Sequence, residues 1–259
     1  MRMTGRKIMS MDETSSVGGR PAADFRPLYS QVKDLLIDRI GSGSWKPGEM
    51  IPSEFQLAAE FGVSQGTVRK ALVELEQQKL VVRRQGRGTY VAKHSSQQSL
   101  FHFFHIVDEH GNKELPTSVV LDSRMKRATK EEATLLRMQP RASVHAITRL
   151  RHLGGRPVIL ERITLPASSF RDLDVPTGRE MTEELYVLYQ RHHGVTIIRA
   201  DERIAAVAAD AEDARHLGVG LGTPILEVSR VAVDVQGNPV ELRLSRLNTA
   251  HHRYFSRII

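Results

Sequence analysis

Two arginines, Arg149 and Arg151, lie one residue apart in the segment VHAITRLRHL, and their spacing gives them a chemistry to do. In an extended strand, side chains alternate between faces. Ile147, Arg149 and Arg151 therefore share one face, and Val144, Ala146, Thr148 and Leu150 the other. Two guanidinium forks on one face are costly to desolvate unless an anion divides its oxygens between them, which points to a small carboxylate or phosphate. A second group lies far upstream, where Ser64 is placed to cap a helix and Gln65, Gly66, Arg69 and Lys70 fall outside its apolar stripe. The free amides and positive dipole end at Ser64 to Thr67 suit a phosphate, Gly66 admits close backbone approach, and Arg69 has the fork that pairs with guanine O6 and N7. Arg83, Arg84 and Arg87 surround the turn Gln85-Gly86-Arg87-Gly88, a basic loop suited to a nucleic-acid backbone.

Other chemistries lack their residues. The pairs His102/His105, His192/His193 and His251/His252 have no HExxH frame or Cys partner, so no metal is expected. No nucleophile elbow, Walker loop or dinucleotide fingerprint is present, and Gly218 to Gly222 reads as a plain loop. Tyr186 and Tyr189 read as packing residues. No cofactor and no catalytic residue follow from the sequence.

The elements that must position these residues are visible as periodicity. Leu28, Val32, Leu35, Leu36 and Ile40 recur at helical spacing. Ser53 with Gln56 opens a short second helix closed by Gly62, and a third follows Ser64 with Val68, Ala71, Leu72 and Leu75 on one stripe. Strands at 80–84 and 89–91 then form a hairpin. Short helix, turn, basic-fronted helix and basic hairpin is the arrangement that lays one helix in the major groove and a wing along the backbone. Residues 1–24 read as a disordered tail, 25–92 as this DNA-binding domain, 93–100 as a linker and 101–259 as a second domain. In the latter, strand-like runs at 117–125, 142–152, 157–165, 195–208, 224–234 and 239–248 alternate with helical segments at 129–138, 180–193 and 210–217. Hairpin signals at Gly154-Gly155 and Gln236-Gly237-Asn238 predict a largely antiparallel α+β sheet with helices on one side.

Composition agrees with two soluble cores. The chain has 259 residues, net charge +7 and no Cys, and no apolar run approaches the roughly 18 residues of a membrane span. Absence of Cys and of a secretory signal makes the cytoplasm the expected compartment. The basic excess sits near the front, with eleven Lys and Arg against seven Asp and Glu over 25–93.

The stretch from Tyr29 to Val91, notably PGEMIPSEFQLAAEFGVSQGTVRKAL and RRQGRGTYV, closely resembles the DNA-binding domain of GntR-type transcription regulators. The resemblance implies a winged helix-turn-helix with DNA contacts at Ser64, Gln65, Gly66, Thr67 and Arg69 and at Gln85, Gly86 and Arg87. It also implies a homodimer on an inverted-repeat operator in double-stranded DNA. Phe55 and Gln65 depart from it, since arginines are frequent there. Residues 101–255 resemble the UTRA domain of the HutC branch, a chorismate-lyase-like fold, through ITRLRHLGGRPVILERITLP, the Gly-x-Pro pattern from Gly222 to Arg230, and GNPVELRLSR. This second resemblance implies effector contacts at Arg149, Arg151, Glu161 and Glu241. Leu247 stands where a ligand-binding Tyr is frequent, and Asn248-Thr249-Ala250 replaces an Arg-x-Asp turn. Register decides whether Glu161 joins the arginines. A three-residue loop at Leu153-Gly154-Gly155 sets it beside Ile147, and a two-residue loop puts it on the opposite face. Together these features imply an effector-controlled regulator, more often a repressor in the family. An enzyme of the chorismate-lyase kind and a DNA-binding protein without a ligand are the competing classes.

Overall fold

A computed structural model describes residues 26–93, 103–181 and 183–256; the predicted tail and all of the predicted linker but Lys93 lie outside them. At the front, α1 (Leu28–Gly41) buries Val32, Leu36 and Ile40, and α2 (Glu54–Phe61) buries Leu57 and Ala58. The N-terminus of α2 is fixed by a reciprocal cap: Ser53 Oγ accepts from the Gln56 amide at 3.3 Å while the Ser53 amide donates to Gln56 Oε1 at 2.9 Å. Gly62, at φ 65, ends the helix in the left-handed conformation that glycine adopts without strain. α3 (Gln65–Gln77) buries Val68, Ala71, Leu72 and Leu75 against this core, and β1 (Val81–Arg84) pairs with β2 (Gly88–Val91) to form the wing.

The second unit contains β3 (Ile106–Asp108), β4 (Thr117–Arg127), α4 (Lys130–Leu135), β5 (Ser143–Leu153), β6 (Arg156–Pro166), α5 (Leu185–His193), β7 (Ile197–Ala208), α6 (Ala211–Leu217), β8 (Pro224–Asp234), β9 (Pro239–Leu247) and β10 (His252–Tyr254). Six strands form one antiparallel sheet in the order β4-β5-β6-β9-β8-β7, the α+β architecture expected. Helices flank both faces of it, not one. α5 joins the cluster around Ile147 and Ile163, whereas α4 packs with Val144 and Leu242, and Arg162 reaches Glu212 of α6. The central strand β6 is buried on both faces, which demands cover on each. A short pairing of β3 with β10 was absent from the sequence reading, because three residues carry too little periodicity.

Neither register anticipated for Glu161 occurs. The β5–β6 turn has two residues, Gly154 and Gly155, both at positive φ, which alone would send Glu161 to the far face. A bulge beside His152 inserts one extra residue, restores the parity, and sets Glu161 directly opposite Arg149.

Candidate nucleic-acid interface and effector cleft

The front of α3 is open. Ser64, Gln65, Gly66, Arg69 and Lys70 are exposed and Thr67 is half-buried. Ser64 Oγ accepts from the Thr67 amide at 3.1 Å, which satisfies one of the free helix-end donors. Arg69 Nε donates to Glu54 Oε2 at 2.9 Å, and Arg83 shares the same carboxylate through Glu54 Oε1 at 3.1 Å. Glu54 thus holds two cations at the front of the helix pair, one on α3 and one on the wing. Lys70 turns toward α1, with Nζ 3.7 Å from the centre of the Tyr29 ring. At the wing, Gln85, Gly86 and Arg87 are all exposed. Phe55 is 69% exposed at the first turn of α2, a large apolar side chain beside an otherwise polar front.

The second site is built on the α5-facing side of the sheet. Register places Arg149 opposite Glu161, Glu161 opposite Ser245, Arg243 opposite Arg230, and Arg230 opposite Glu202. Arg149, 1% exposed, donates from Nε to Glu161 Oε2. Arg151 donates from Nη2 to Glu184 Oε1 at 2.8 Å, lies 3.8 Å from Glu161 Oε1, and rests 4.8 Å from the Phe104 ring centre. Arg243 grips both oxygens of Glu241, at 2.9 and 2.7 Å, and Arg230 binds Glu202 at 2.7 Å. Four arginines are therefore matched by Glu161, Glu184, Glu202 and Glu241. The anion that the Arg149/Arg151 pair demands is supplied from within the protein.

Burial would raise the Glu161 carboxyl, but the charges of Arg149, Arg243 and Arg151 outweigh it and hold the group well below the ordinary carboxylate range. Burial, with Arg149 alongside, pushes Arg151 down to about 10 against the pull of Glu184 and Glu161, which leaves it charged at neutral pH. Among the described residues, two buried donors of this site, Arg149 Nη2 and Arg151 Nε, have no hydrogen-bond partner. A narrow cleft of about 50 Å³, open to solvent on one side, reaches Arg151, Glu161, Glu184, Glu202, Arg230 and Arg243. Arg149 and Glu241 do not line it. Glu241 is fully buried and saturated by Arg243 and by the hydroxyls of Tyr186 and Tyr189, at 3.0 and 2.8 Å, so it holds Arg243 in place behind the cleft wall. Both tyrosines are buried in the core, and beyond the packing expected of them Tyr186 also lines the cleft and accepts from Arg230 Nη1 at 3.3 Å. The sequence reading passed over Arg230 and Arg243 as site residues, although each stood in a quoted segment; only cross-strand register shows that they face the same cleft.

Sequence profiles match both parts. That of the UTRA domain covers residues 112–253, and that of bacterial regulatory proteins, gntR family, covers 28–91. The chain belongs to the GntR family. It is 32% identical to the HTH-type transcriptional regulator SmoD of Agrobacterium fabrum over 90% of this chain and 96% of SmoD. To the HTH-type transcriptional repressor NagR of Bacillus subtilis it is 30% identical, over 83% of this chain and 88% of NagR. Among solved structures, PhnF of Mycobacterium smegmatis superposes with TM-score 0.52 at 25% identity, over 87% of this chain and 98% of PhnF. The relatives are transcription regulators, and this GntR protein is a regulator rather than an enzyme. Among its described residues no helix is long and apolar enough to cross a membrane, and no group of three His, Asp or Glu is arranged to hold a metal ion.

For this GntR regulator, Gly66 offers a direct separation of folding from DNA contact. A Cβ added there would meet only Ser64 Oγ, at 3.7 Å, and the residue lies in the first turn of α3 without a positive φ. The fold therefore does not require glycine. Gly66→Ala should stabilise the domain by about 0.5 kcal/mol through helix propensity, while weakening DNA binding several-fold if the backbone must approach a phosphate. Thermal melts and fluorescence anisotropy on the same sample report the two effects separately.

Proposed function

We propose that this regulator is a cytoplasmic homodimer that binds an inverted-repeat operator in double-stranded DNA and loses affinity for it when a small carboxylate or phosphate occupies the cleft. The DNA contacts would be Ser64, Gln65, Gly66, Thr67, Arg69 and Lys70 of α3 and Gln85, Gly86 and Arg87 of the wing. The supporting observation for the effector is the buried Arg151 Nε, which has no hydrogen-bond partner among the described residues and belongs to a side chain that lines a cleft whose other charges are already matched. An unpaired buried donor is costly, and a ligand oxygen removes the cost. Glu184 is the replaceable partner: its side chain is 19% exposed, against 4% for Glu161, so an incoming anion can take its place on Arg151. Glu161 stays and accepts from a ligand hydroxyl or amine, while Arg149 and Glu241 hold Glu161 and Arg243 from behind. A repressive sign is favoured by the relative NagR, which is named as a repressor.

Coupling requires only that the ligand favour one arrangement of the dimer over another; about 1 to 3 kcal/mol would change operator affinity roughly 5- to 150-fold. The test is a calorimetric screen of small carboxylates and phosphates against the wild type and Arg151→Lys, which keeps the charge and removes the fork. At least about tenfold weaker binding to the variant is expected. Undiminished affinity of the effector for Arg151→Lys would place the effector elsewhere.

A further inference from the structure

The charges that line the effector cleft sum to zero. Arg151, Arg230 and Arg243 are met there by Glu161, Glu184 and Glu202. The other titratable groups on its wall add no charge at neutral pH: burial pushes the His105 imidazole below its ordinary 6.5 and pushes the Tyr186 and Tyr254 hydroxyls up. Behind the wall Arg149 and Glu241 balance each other. A ligand that brings only a negative charge would upset this matched set, and the charge it displaces is Glu184, which accepts from Arg151 Nη2 at 2.8 Å. No cation is ready to receive the displaced carboxylate on its own helix. The neighbouring residue is a second acid, Glu183, which already holds Arg191 of α5 at 2.8 Å. A largely buried carboxylate stripped of its partner is costly.

We infer that the effector is a zwitterion of the amino-acid type, whose carboxylate takes the Arg151 fork and whose ammonium takes Glu184. The inference rests on the effector reading above and narrows its ligand class. Such a ligand inserts as a dipole between two groups that now bind each other, so every charge keeps a partner. The donors of Arg151 favour the exchange. Glu184 uses Nη2 alone, while Nε, on the same side of the guanidinium, is buried with no partner among the described residues. A ligand carboxylate accepting from Nε and Nη2 together makes the two parallel bonds that Glu184 does not. Phe104, Ile159 and Leu247 line the same cleft and give the ligand's carbon atoms an apolar wall.

Calorimetry of the full chain with matched pairs tests this: alanine against propionate, γ-aminobutyrate against butyrate, and leucine against isocaproate. At least one amino acid should bind at least about tenfold more tightly than the acid that lacks its amine. Glu184→Gln keeps the shape of the side chain and leaves the cleft one positive charge in excess. In that variant the acid should match or exceed its amino acid, and inorganic phosphate should raise the melting temperature of the variant and not of the wild type. The Glu184 side chain caps no helix amide, so circular dichroism of the variant should match the wild type. The zwitterion is overturned if no amino acid outbinds its acid, if Glu184→Gln keeps the wild-type preference, or if phosphate acts alike on both proteins. Arg151→Lys then tells that failure from failure of the effector reading. Acids that bind the wild type and weaken at least about tenfold in Arg151→Lys preserve an anion site at this arginine. Acids indifferent to the substitution, or no binding by any probe, remove both.

Discussion

Arg149→Ala should cost this regulator about 3 to 5 kcal/mol of folding stability, because it leaves the Glu161 carboxylate buried without its closest partner. Three partners remain at longer range, Ser245 Oγ at 3.3 Å, Arg243 at 3.5 Å and Arg151 at 3.8 Å, so the loss should fall toward the lower end of that range. Urea unfolding should show it as a lower midpoint with an unchanged slope. Arg149→Met combined with Glu161→Leu should recover much of the loss, since a buried pair gains little over apolar side chains of similar volume. The same pair sets a pH dependence. The Glu161 carboxyl is depressed in the folded state from its ordinary 4.5, so its contribution is complete above that value. It is lost as pH falls below it toward the folded value. Arg149→Ala should flatten this part of the profile. A loss below about 1 kcal/mol, with an unaltered acid limb, would show that Glu161 is held mainly by Arg243 and Arg151.

The structural consequence alters what the two arginines can report about ligand binding. From strand parity alone they are equivalent forks on one face, and their shared face is indeed what the fold builds. Parity cannot say which of them meets the cleft. That depends on the bulge beside His152, which brings Glu161 to Arg149 and leaves Arg151 to reach Glu184. Local patterns in the front unit were more legible, because its information is short-range: Ser53 with Gln56, Ser64 with Thr67, and the left-handed Gly62 are each written within four residues. In the sheet, the residues that matter meet across long separations. Arg243 and Glu161 are 82 positions apart, and Tyr186 and Glu241 are 55. A single sequence records that such residues exist, and only strand order and register bring them together. Helices on both faces were missed for a related reason: β6 carries apolar residues of both parities, Val158, Ile159, Leu160, Ile163 and Leu165, around Glu161 and Arg162, which fits a strand covered on either side or on both.

Arg69→Ala should weaken binding to an operator, selected from a random duplex pool, by about 1 to 3 kcal/mol and flatten preference at one base position. In the free protein Arg69 is 62% exposed at its side chain and held by Glu54 at 2.9 Å. An exposed pair of this kind contributes at most about 1 kcal/mol, less than a bidentate contact to guanine, so DNA can draw the fork away from Glu54 with a net gain. Until then the carboxylate holds Arg69 and Arg83 together at the helix front, which limits the ordering needed on binding. Arg87 has no such directional role. It sits at an exposed wing whose turn is closed by the Arg87 amide donating to Arg84 O at 2.9 Å. Arg87→Ala should weaken binding evenly across sequences and reduce the slope of log affinity against log salt by about 0.9, the signature of one lost phosphate contact. Anisotropy titrations at two salt concentrations on selected and scrambled duplexes separate the two outcomes. If Arg69→Ala changed the salt slope and kept the base preference, Arg69 would be a backbone contact, and discrimination would pass to Gln65 and Thr67 on the same exposed turn of α3.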